Sequence, residues 1–192
     1  MIAIVKYNAG NIRSVKNALD RLEVSSVLTD DPDELISADK VIFPGVGEAG
    51  TAMAYLKERE LDKVLIALKQ PFLGVCLGMQ LMCSHSEEKD TPCLGIFEEK
   101  VKKFPPKGLI PHVGWNNFNR CEGPLFAGVA ASDNFYFIHS YYAEMGEHTI
   151  GETEYLIPFT SALHKNNFYG VQFHPEKSSD MGKQLLENFL NL

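Results

Sequence analysis

The chain has 192 residues, 45% of them hydrophobic, which predicts one globular domain over residues 1–192 and leaves no room for two large catalytic domains. Its formal net charge of −7 at pH 7, without any block of lysine and arginine, argues against binding to nucleic acid. The first apolar run is too short for a signal peptide and no segment approaches the length of a membrane span, so we expect a cytoplasmic protein without membrane contact.

Short apolar runs alternate with helical patterns in the first half of the chain. The run Ile2-Ala3-Ile4-Val5 predicts a buried strand, and the helix predicted after it has Val15, Ala18, Leu19 and Leu22 on one face. The next predicted elements are a short strand around Val27-Leu28, a strand over 41–43, helices over 51–58 and 61–69, a strand over 72–75 and a helix from Leu77 to about Ser84. This alternation is typical of a mainly parallel sheet with helices on both faces.

The second half of the chain is different, because strand patterns dominate it. Strands are predicted over 100–104, 134–142, 159–165 and 168–173, with Asn166-Asn167 as a hairpin turn, and a helix is predicted over 180–192. We therefore expect a single-domain α/β fold in which a smaller antiparallel sheet accompanies the mostly parallel central sheet. Ligands bind at the carboxyl ends of strands in such sheets, and the loop Pro44-Gly45-Val46-Gly47 falls there together with Cys76.

The segment Gly74-Val75-Cys76-Leu77-Gly78 has the pattern of a nucleophile elbow. In such a turn the nucleophile lies between a strand and a helix, and the flanking glycines prevent collisions in the tight bend. The N–H groups and the dipole at the start of the following helix favour the thiolate form of Cys76. The alternative interpretation is a small buried cysteine beside a glycine-rich turn.

The other cysteines, Cys83, Cys93 and Cys121, form no C-x-x-C pair and no zinc spacing with Cys76. We therefore expect reduced thiols, of which one is reactive, and neither a metal site nor a cofactor.

A second element, His174-Pro175-Glu176, lies near the C-terminus. As part of a strand, it would place the imidazole and the carboxylate on the same side, while Pro175 keeps His174 extended and ends the strand pairing. An imidazole oriented by a carboxylate can accept the proton of a cysteine and return it to a leaving amine. We therefore predict a catalytic set of Cys76, His174 and Glu176.

These motifs together resemble the class I (triad) glutamine amidotransferases, which hydrolyse glutamine and deliver ammonia to a synthase. Within that family the chain is similar to the glutaminase subunits of imidazole glycerol phosphate synthases, in histidine biosynthesis, over essentially its whole length. The segments that carry the resemblance are Asn8-Ala9-Gly10-Asn11, Pro44-Gly45-Val46-Gly47, Gly74-Val75-Cys76-Leu77-Gly78-Met79-Gln80, Pro111-His112-Val113-Gly114-Trp115-Asn116, His139-Ser140-Tyr141 and Phe173-His174-Pro175-Glu176-Lys177-Ser178. One departure is Lys6-Tyr7-Asn8, where many members carry a segment of the Asp-Tyr-Gly type, and we expect it to tune a loop that faces the partner.

The resemblance implies that Cys76 attacks the side-chain carboxamide of L-glutamine and forms a thioester, which water hydrolyses after ammonia has left. The oxyanion-binding groups that it implies are the backbone N–H groups of Leu77 and of the loop residues Gly45, Val46 and Gly47. It links rotation of that loop to partner and ligand binding. The substrate contacts that it implies are Gln80, Glu88, Ser140 and Tyr141. On the residues alone, residues 44–47 are also compatible with a simple turn, and Gln80 and Glu88 with solvated side chains.

The resemblance also implies a heterodimer with a cyclase subunit folded as a (β/α)₈ barrel, which uses the ammonia to form imidazole glycerol phosphate and aminoimidazole carboxamide ribotide. The implied interface positions are Asn11, His112, Trp115, Tyr136 and Lys177. Trp and Tyr are frequent interface anchors, and Lys177 could pair with an acidic group of the barrel. On the residues alone, Trp115 is also compatible with a core aromatic and Lys177 with a solvated lysine.

Other functions remain open on the sequence. One is a related glutaminase that feeds a different synthase, such as an enzyme that aminates a surface sugar. Another is a non-catalytic binding or regulatory subunit on the same fold, which the intact set of Cys76, His174 and Glu176 disfavours. A cysteine peptidase is a further possibility, which Gln80 disfavours.

Overall fold

The structure of the protein is a computed structural model, which describes residues 1–8, 10 and 12–192. Its strands are β1 (Ile2–Val5), β2 (Ser26–Thr29), β3 (Lys40–Phe43), β4 (Phe72–Val75), β5 (His85–Ser86), β6 (Thr91–Pro92), β7 (Lys100–Lys103), β8 (His112–Asn116), β9 (Arg120–Cys121), β10 (Phe135–His139), β11 (Tyr141–Ala143), β12 (Thr149–Tyr155), β13 (Ile157–Lys165) and β14 (Phe168–Val171). Its α-helices are α1 (Ile12–Arg21), α2 (Pro32–Ser37), α3 (Ala49–Glu58), α4 (Leu61–Ala67), α5 (Leu77–Met82) and α6 (Ser179–Leu190), and short 3₁₀-helices lie at Pro124–Phe126 and Pro175–Lys177. No helix in the described part of the chain is long and apolar enough to cross a membrane.

The central sheet is parallel on one side and antiparallel on the other. Strands β2, β1, β3, β4 and β14 lie in this order and pair in parallel. Beyond β14 the sheet continues through β13, β11 and β7, which pair in antiparallel fashion. A separate small antiparallel sheet consists of β8 and β10. The predicted fold class is therefore confirmed, although most of the antiparallel strands extend the central sheet.

Helices cover both faces of the parallel strands, as predicted. Ala3 and Val5 of β1 belong to a buried cluster that includes residues of α2, α3, α4 and α5. Ile2 and Ile4 belong to a second cluster, which includes residues of α1 and α6. Successive strand residues point to opposite faces of a sheet, so both faces are buried. This burial explains why the strand is apolar at every position rather than at every second one.

Helix α5 lies close to the sheet because Gly74 of β4 and Gly78 of α5 place no side chain between them. A Cβ atom on Gly78 would lie 1.8 Å from the carbonyl oxygen of Phe43, and one on Gly74 would lie 2.4 Å from the sulfur of Met82. Any side chain at either position would push the helix away from β3 and β4. These glycines therefore fix the place where the chain turns from β4 into α5.

Some elements differ from the sequence-based expectations. The patterns miss α2, β8, β12 and the two-residue strands β5, β6 and β9. Asp31 caps α2 by accepting a hydrogen bond from the N–H of Asp33 at 2.8 Å. The strand predicted over 134–142 divides at Ser140 into β10 and β11, which belong to different sheets. The strand predicted over 168–173 ends at Val171. The turn at Asn166-Asn167 is confirmed, and Asn166 adopts a φ of 57° between the paired strands β13 and β14.

The small sheet buries a pair of histidines. His112 of β8 lies opposite His139 of β10, with 3.1 Å between His112 Nδ1 and His139 Nε2. The ring of His112 also stacks on Tyr155, with 4.0 Å between the centroids. Burial lowers the pKa of His112 to about 4 and that of His139 to about 3, so both rings are neutral at pH 7.

We expect Gly78→Ala to destabilise the protein, because its new Cβ has to displace α5 from Phe43. Overpacking of this kind costs about 1–3 kcal/mol or more in the free energy of unfolding, which chemical denaturation measures. Gly50→Ala is the matched control, since the nearest atoms to its Cβ lie 3.2 and 3.4 Å away and alanine is favoured in helix α3. Its effect should stay within about 1 kcal/mol. Equal losses in the two variants would contradict the close packing of α5.

We expect acid to destabilise the fold through the buried histidine pair. Both pKa values are lower than the value of about 6.5 for histidine in an unfolded chain, so the unfolded state binds more protons. The free energy of unfolding should therefore fall as the pH decreases from about 6.5 toward 4. Urea denaturation at pH 7 and pH 5 measures this fall. His112→Phe keeps an aromatic ring against Tyr155 and should make the fall shallower, whereas the partly exposed His164→Phe should leave it unchanged. Equal falls in the two variants would contradict the assignment.

Candidate active site

The turn between β4 and α5 places Cys76 at the carboxyl end of the parallel strands. Cys76 has a φ of 52° and a ψ of −110°, a conformation that costs a non-glycine residue about 1–3 kcal/mol. The turn is held by a hydrogen bond of 2.7 Å from the Cys76 N–H to the carbonyl of Val171 and by one of 3.1 Å from Gln80 N–H to the carbonyl of Cys76. The predicted elbow geometry is therefore present.

The neighbouring strand β14 brings His174 to the same place. Val171 of β14 pairs with Val75 of β4, and the chain continues from β14 to His174. The Nδ1 atom of His174 lies 2.7 Å from Oε1 of Glu176, and both side chains are buried. The strand interpretation of this contact is wrong, because Pro175 begins a 3₁₀-helix that brings Glu176 back toward the imidazole. The predicted pairing of imidazole and carboxylate is nevertheless present.

The charge of the site is set by contact between the cysteine and the histidine. Burial alone would lower the pKa of His174, but the Cys76 thiolate, through its charge and a hydrogen bond, and the carboxylate of Glu176 raise it to about 10. The geometry thus favours the charged form of the imidazole at neutral pH, in contact with Cys76. Such a pair supplies a nucleophile and an acid at one point.

The loop of residues 44–47 closes against the start of α5. The N–H of Leu77 donates to the carbonyl of Gly45 at 3.3 Å, so this predicted oxyanion donor is occupied by the loop. The loop is held from the other side, because the buried Tyr7 hydroxyl donates to the Pro44 carbonyl at 2.6 Å. A Cβ on Gly45 would lie 2.0 Å from that hydroxyl oxygen, which explains the glycine.

A cavity of about 260 Å³ opens beside the sulfur of Cys76. Its lining is Val46, Gly47, Cys76, Leu77, Gln80, Glu88, Pro111, Ile138, His139, Ser140 and Tyr141. All four residues predicted to contact substrate therefore share one cavity with the cysteine. The volume suits one small molecule with a few polar groups rather than an extended peptide.

Two of the predicted substrate residues also have partners within the protein. Glu88 Oε2 accepts a hydrogen bond of 2.7 Å from the N–H of Ala49, at the start of α3. The Nε2 atom of Gln80 donates to the Tyr141 carbonyl and to Oε1 of Gln172, both at 2.9 Å. The interpretation of Gln80 as a solvated side chain is therefore wrong, since the residue is 5% exposed.

Sequence reasoning missed Gln172. This residue is fully buried, and its Nε2 lies 3.6 Å from the sulfur of Cys76. The signal was available, because a polar residue interrupts the apolar end of a buried strand two positions before His174.

Two of the predicted interface residues, Trp115 and Tyr136, lie opposite each other on one face of the small sheet. Trp115 is 56% exposed, and its ring contacts Tyr136 edge-on with 6.1 Å between centroids. The Nζ atom of Lys177 lies 6.0 Å from the centre of the Tyr136 ring, within reach of a cation–π interaction. The core interpretation of Trp115 is therefore wrong. His112 is only 3% exposed, because its side chain points to the opposite face of the sheet, so it is not a surface contact. Asn11 lies outside the described residues.

Outside this site, within the described ranges, one group of side chains has metal-ligand geometry. The ligand atoms of Glu98, Glu99 and His148 lie within 4.8 Å of one another. The ammonium of Lys165 lies 2.6 Å from Glu98 and already neutralises it. None of these residues lines the cavity beside Cys76.

Comparison with known proteins places this site in a family. The model of the glutamine amidotransferase class-I family matches residues 4–192. The imidazole glycerol phosphate synthase subunit HisH of Bacteroides fragilis is 53% identical over 194 residues, which cover 100% of this chain and 99% of the relative. The subunit HisH 1 of Methanococcus maripaludis is 44% identical over 202 residues, with 100% of both chains covered.

A crystal structure of a glutamine amidotransferase matches the fold with a TM-score of 0.76 at 19% identity, and the match covers 100% of this chain and 98% of the other. At that identity the likeness concerns the fold alone, whereas the family match spans nearly all of the sequence. The chain belongs to the class-I glutamine amidotransferase family.

Proposed function

We propose that this protein hydrolyses L-glutamine to glutamate and ammonia and passes the ammonia to a cyclase subunit, as the glutaminase half of an imidazole glycerol phosphate synthase in histidine biosynthesis. The observation that carries the proposal is the convergence of Cys76, His174 and Glu176 beside a cavity sized for one small molecule. Membership of the amidotransferase family supports the choice of glutamine, and the names of the relatives support the choice of synthase.

The reaction proceeds through a thioester. The Cys76 thiolate attacks the carboxamide carbon of glutamine, and the imidazolium of His174 gives its proton to the leaving nitrogen as the C–N bond breaks. Ammonia departs, and water then attacks the thioester while His174 accepts a proton from it. Glutamate leaves as the thiolate is restored. Glu176 keeps the imidazole oriented and stabilises its charged form.

The oxyanion of each tetrahedral intermediate needs hydrogen-bond donors, and the Leu77 N–H, which is one of them in this proposal, already donates to another group in the described conformation. The Gly45 carbonyl accepts the Leu77 N–H, so the loop has to rotate before that N–H can bind an oxyanion. Rotation of the peptide between Gly45 and Val46 removes the carbonyl and turns an N–H toward the substrate. Gly45 and Gly47 permit this rotation, and Gly47 already has a φ of +138°.

The substrate is held by the rest of the cavity. The carboxylate of Glu88 suits the α-amino group of glutamine, and the backbone of Ser140 and Tyr141 suits its other polar groups. Both N–H groups of Gln80 are engaged by Tyr141 and Gln172, so only its oxygen is left to face the substrate.

The exposed face of the small sheet is the docking surface for the cyclase, a (β/α)₈ barrel. On this face Val113 and Trp115 of β8 lie opposite Ile138 and Tyr136 of β10. Val113, Trp115 and Ile138 are 53%, 56% and 38% exposed, a row of large apolar side chains that favours a protein partner. Ile138 also lines the cavity beside Cys76, so the docking surface and the source of ammonia adjoin.

Replacement of the nucleophile tests the chemistry. We expect Cys76→Ser and Cys76→Ala to lower glutamine hydrolysis at least about 10³-fold, because no other group in the cavity can form the thioester. His174→Ala should have a similar effect. Cys93→Ser is the control, since burial raises the pKa of Cys93 to about 12 and keeps it an unreactive thiol. Glutamate release by the complex with the cyclase measures the activity. Ammonium salts should still support product formation by the Cys76 variants, and retained hydrolysis of glutamine would overturn the proposal.

Replacement of the exposed residues tests the partner. We expect Trp115→Ala and Lys177→Ala each to weaken binding to a histidine-pathway cyclase by about tenfold or more, as measured by titration calorimetry. Ile66→Ala is the control, because Ile66 is 45% exposed on α4, outside the small sheet. Unchanged affinity in both test variants would place the interface elsewhere. A wild-type chain that binds a sugar-aminating synthase instead of this cyclase would refute the proposed pathway.

A further inference from the structure

A line of side-chain amides connects the substrate cavity with the nucleophile. It starts at the Tyr141 carbonyl, which accepts a hydrogen bond from Gln80 Nε2 at 2.9 Å. The same nitrogen donates to Gln172 Oε1 at 2.9 Å, and Gln172 Nε2 lies 3.6 Å from the sulfur of Cys76. Gln172 is fully buried at the end of β14, and its backbone N–H is held at 2.9 Å by the Ser161 carbonyl.

The direction of these hydrogen bonds is fixed by the backbone. A carbonyl can only accept, so Gln80 has to present its NH₂ group to Tyr141. The same NH₂ group faces Gln172, which therefore has to present its oxygen to Gln80. Only the NH₂ group of Gln172 is then left for the sulfur of Cys76.

The Tyr141 carbonyl, at the start of this line, is fixed by a second hydrogen bond. The Tyr141 carbonyl also lies 2.7 Å from Nδ1 of His139, which donates to it while the ring is neutral. His139 in turn accepts from Nδ1 of His112. The carbonyl therefore has two donors on it, and it cannot turn without breaking both hydrogen bonds.

From this arrangement we propose that Gln172 is a positioning residue of the glutaminase, which donates an N–H to the Cys76 thiolate and whose direction is set by Tyr141 through Gln80. The inference rests on the proposed role of Cys76 as nucleophile. A neutral thiol has another partner, the Ile138 carbonyl, 3.8 Å from the sulfur. The amide of Gln172 thus favours the ionised sulfur over the neutral one. Because this donor is uncharged, it stays in place when His174 gives up its proton.

The reactivity of the sulfur tests this role without glutamine. Iodoacetamide alkylates thiolates, so its rate with Cys76 as a function of pH reports how readily the thiol ionises. The titratable groups near the sulfur are His174 and Tyr7, and Glu88, His139 and Tyr141 line the same cavity. None of them is changed in the test variants. The modified cysteine is located by mass spectrometry, which separates Cys76 from Cys83, Cys93 and Cys121.

We expect Gln172→Glu and Gln172→Met to move the midpoint of the alkylation profile upward by about one pH unit and to lower the rate at pH 7 about tenfold, because both lack the N–H. Gln80→Glu does not touch the sulfur, but it should give a shift in the same direction. Its new carboxylate accepts the Gln172 NH₂ group and so turns the Gln172 oxygen toward the sulfur. Gln184→Glu on α6 is the control and should leave the profile unchanged. Circular dichroism shows which variants fold. The new carboxylates of Gln172→Glu and Gln80→Glu also repel the thiolate, so the uncharged Gln172→Met, with Gln172→Leu as a second uncharged variant, decides whether the N–H is responsible.

The outcomes separate this inference from the proposed function. If Cys76 of the wild-type protein is alkylated no faster than the other cysteines, the proposed nucleophile is wrong. If Cys76 is reactive but its profile is the same in the folded Gln172 variants as in the wild type, the role of Gln172 is wrong and the proposed function stands.

Discussion

The contact on which the site depends is the hydrogen bond from the Cys76 N–H to the Val171 carbonyl, at the end of two parallel strands. It ties residues 95 positions apart along the chain, and it holds Cys76 in a backbone conformation that a cysteine rarely adopts. Because β4 and β14 pair in register up to this point, the residues that follow each strand are neighbours. Cys76 follows β4, and Gln172 and His174 follow β14. Glycines at positions 74 and 78 then let α5 start close to the sheet.

Burial has opposite effects on the histidines of this protein, and the difference comes from their neighbours. His112 and His139 face each other and aromatic rings, so burial lowers the pKa of each and both stay neutral. His174 is equally buried, but a thiolate and a carboxylate lie on its two sides and raise its pKa to about 10. The neutral pair supports the backbone of the cavity, whereas the charged residue lies between Cys76 and Glu176. The same residue type is thus kept neutral in one buried place and charged in another.

The sequence predicts the parallel half of the fold well, because strands buried on both faces are continuously apolar and the helices between them are amphipathic. It predicts Cys76, His174 and Glu176 as a set, but it gives the wrong local structure for Glu176, since a 3₁₀-helix after Pro175 cannot be told from an extended end by alternation alone. It misses α2, because the six residues after the Asp31 cap are too few to show a helical period. It also cannot show that residues 134–142 divide between two sheets. The burial of His112 and the role of Gln172 depend on contacts between distant strands, which no local pattern encodes.

In the described conformation the Leu77 N–H donates to the Gly45 carbonyl and is therefore not available to a substrate. Breaking one hydrogen bond and leaving its buried groups unpaired costs about 1–3 kcal/mol, so the rotated loop is populated in between about a sixth and less than a hundredth of the molecules. A second protein that stabilises only the rotated loop could then speed turnover by as much as a hundredfold without touching the sulfur. Ammonia would then be released mainly while the second protein is bound, and little glutamine would be hydrolysed without it.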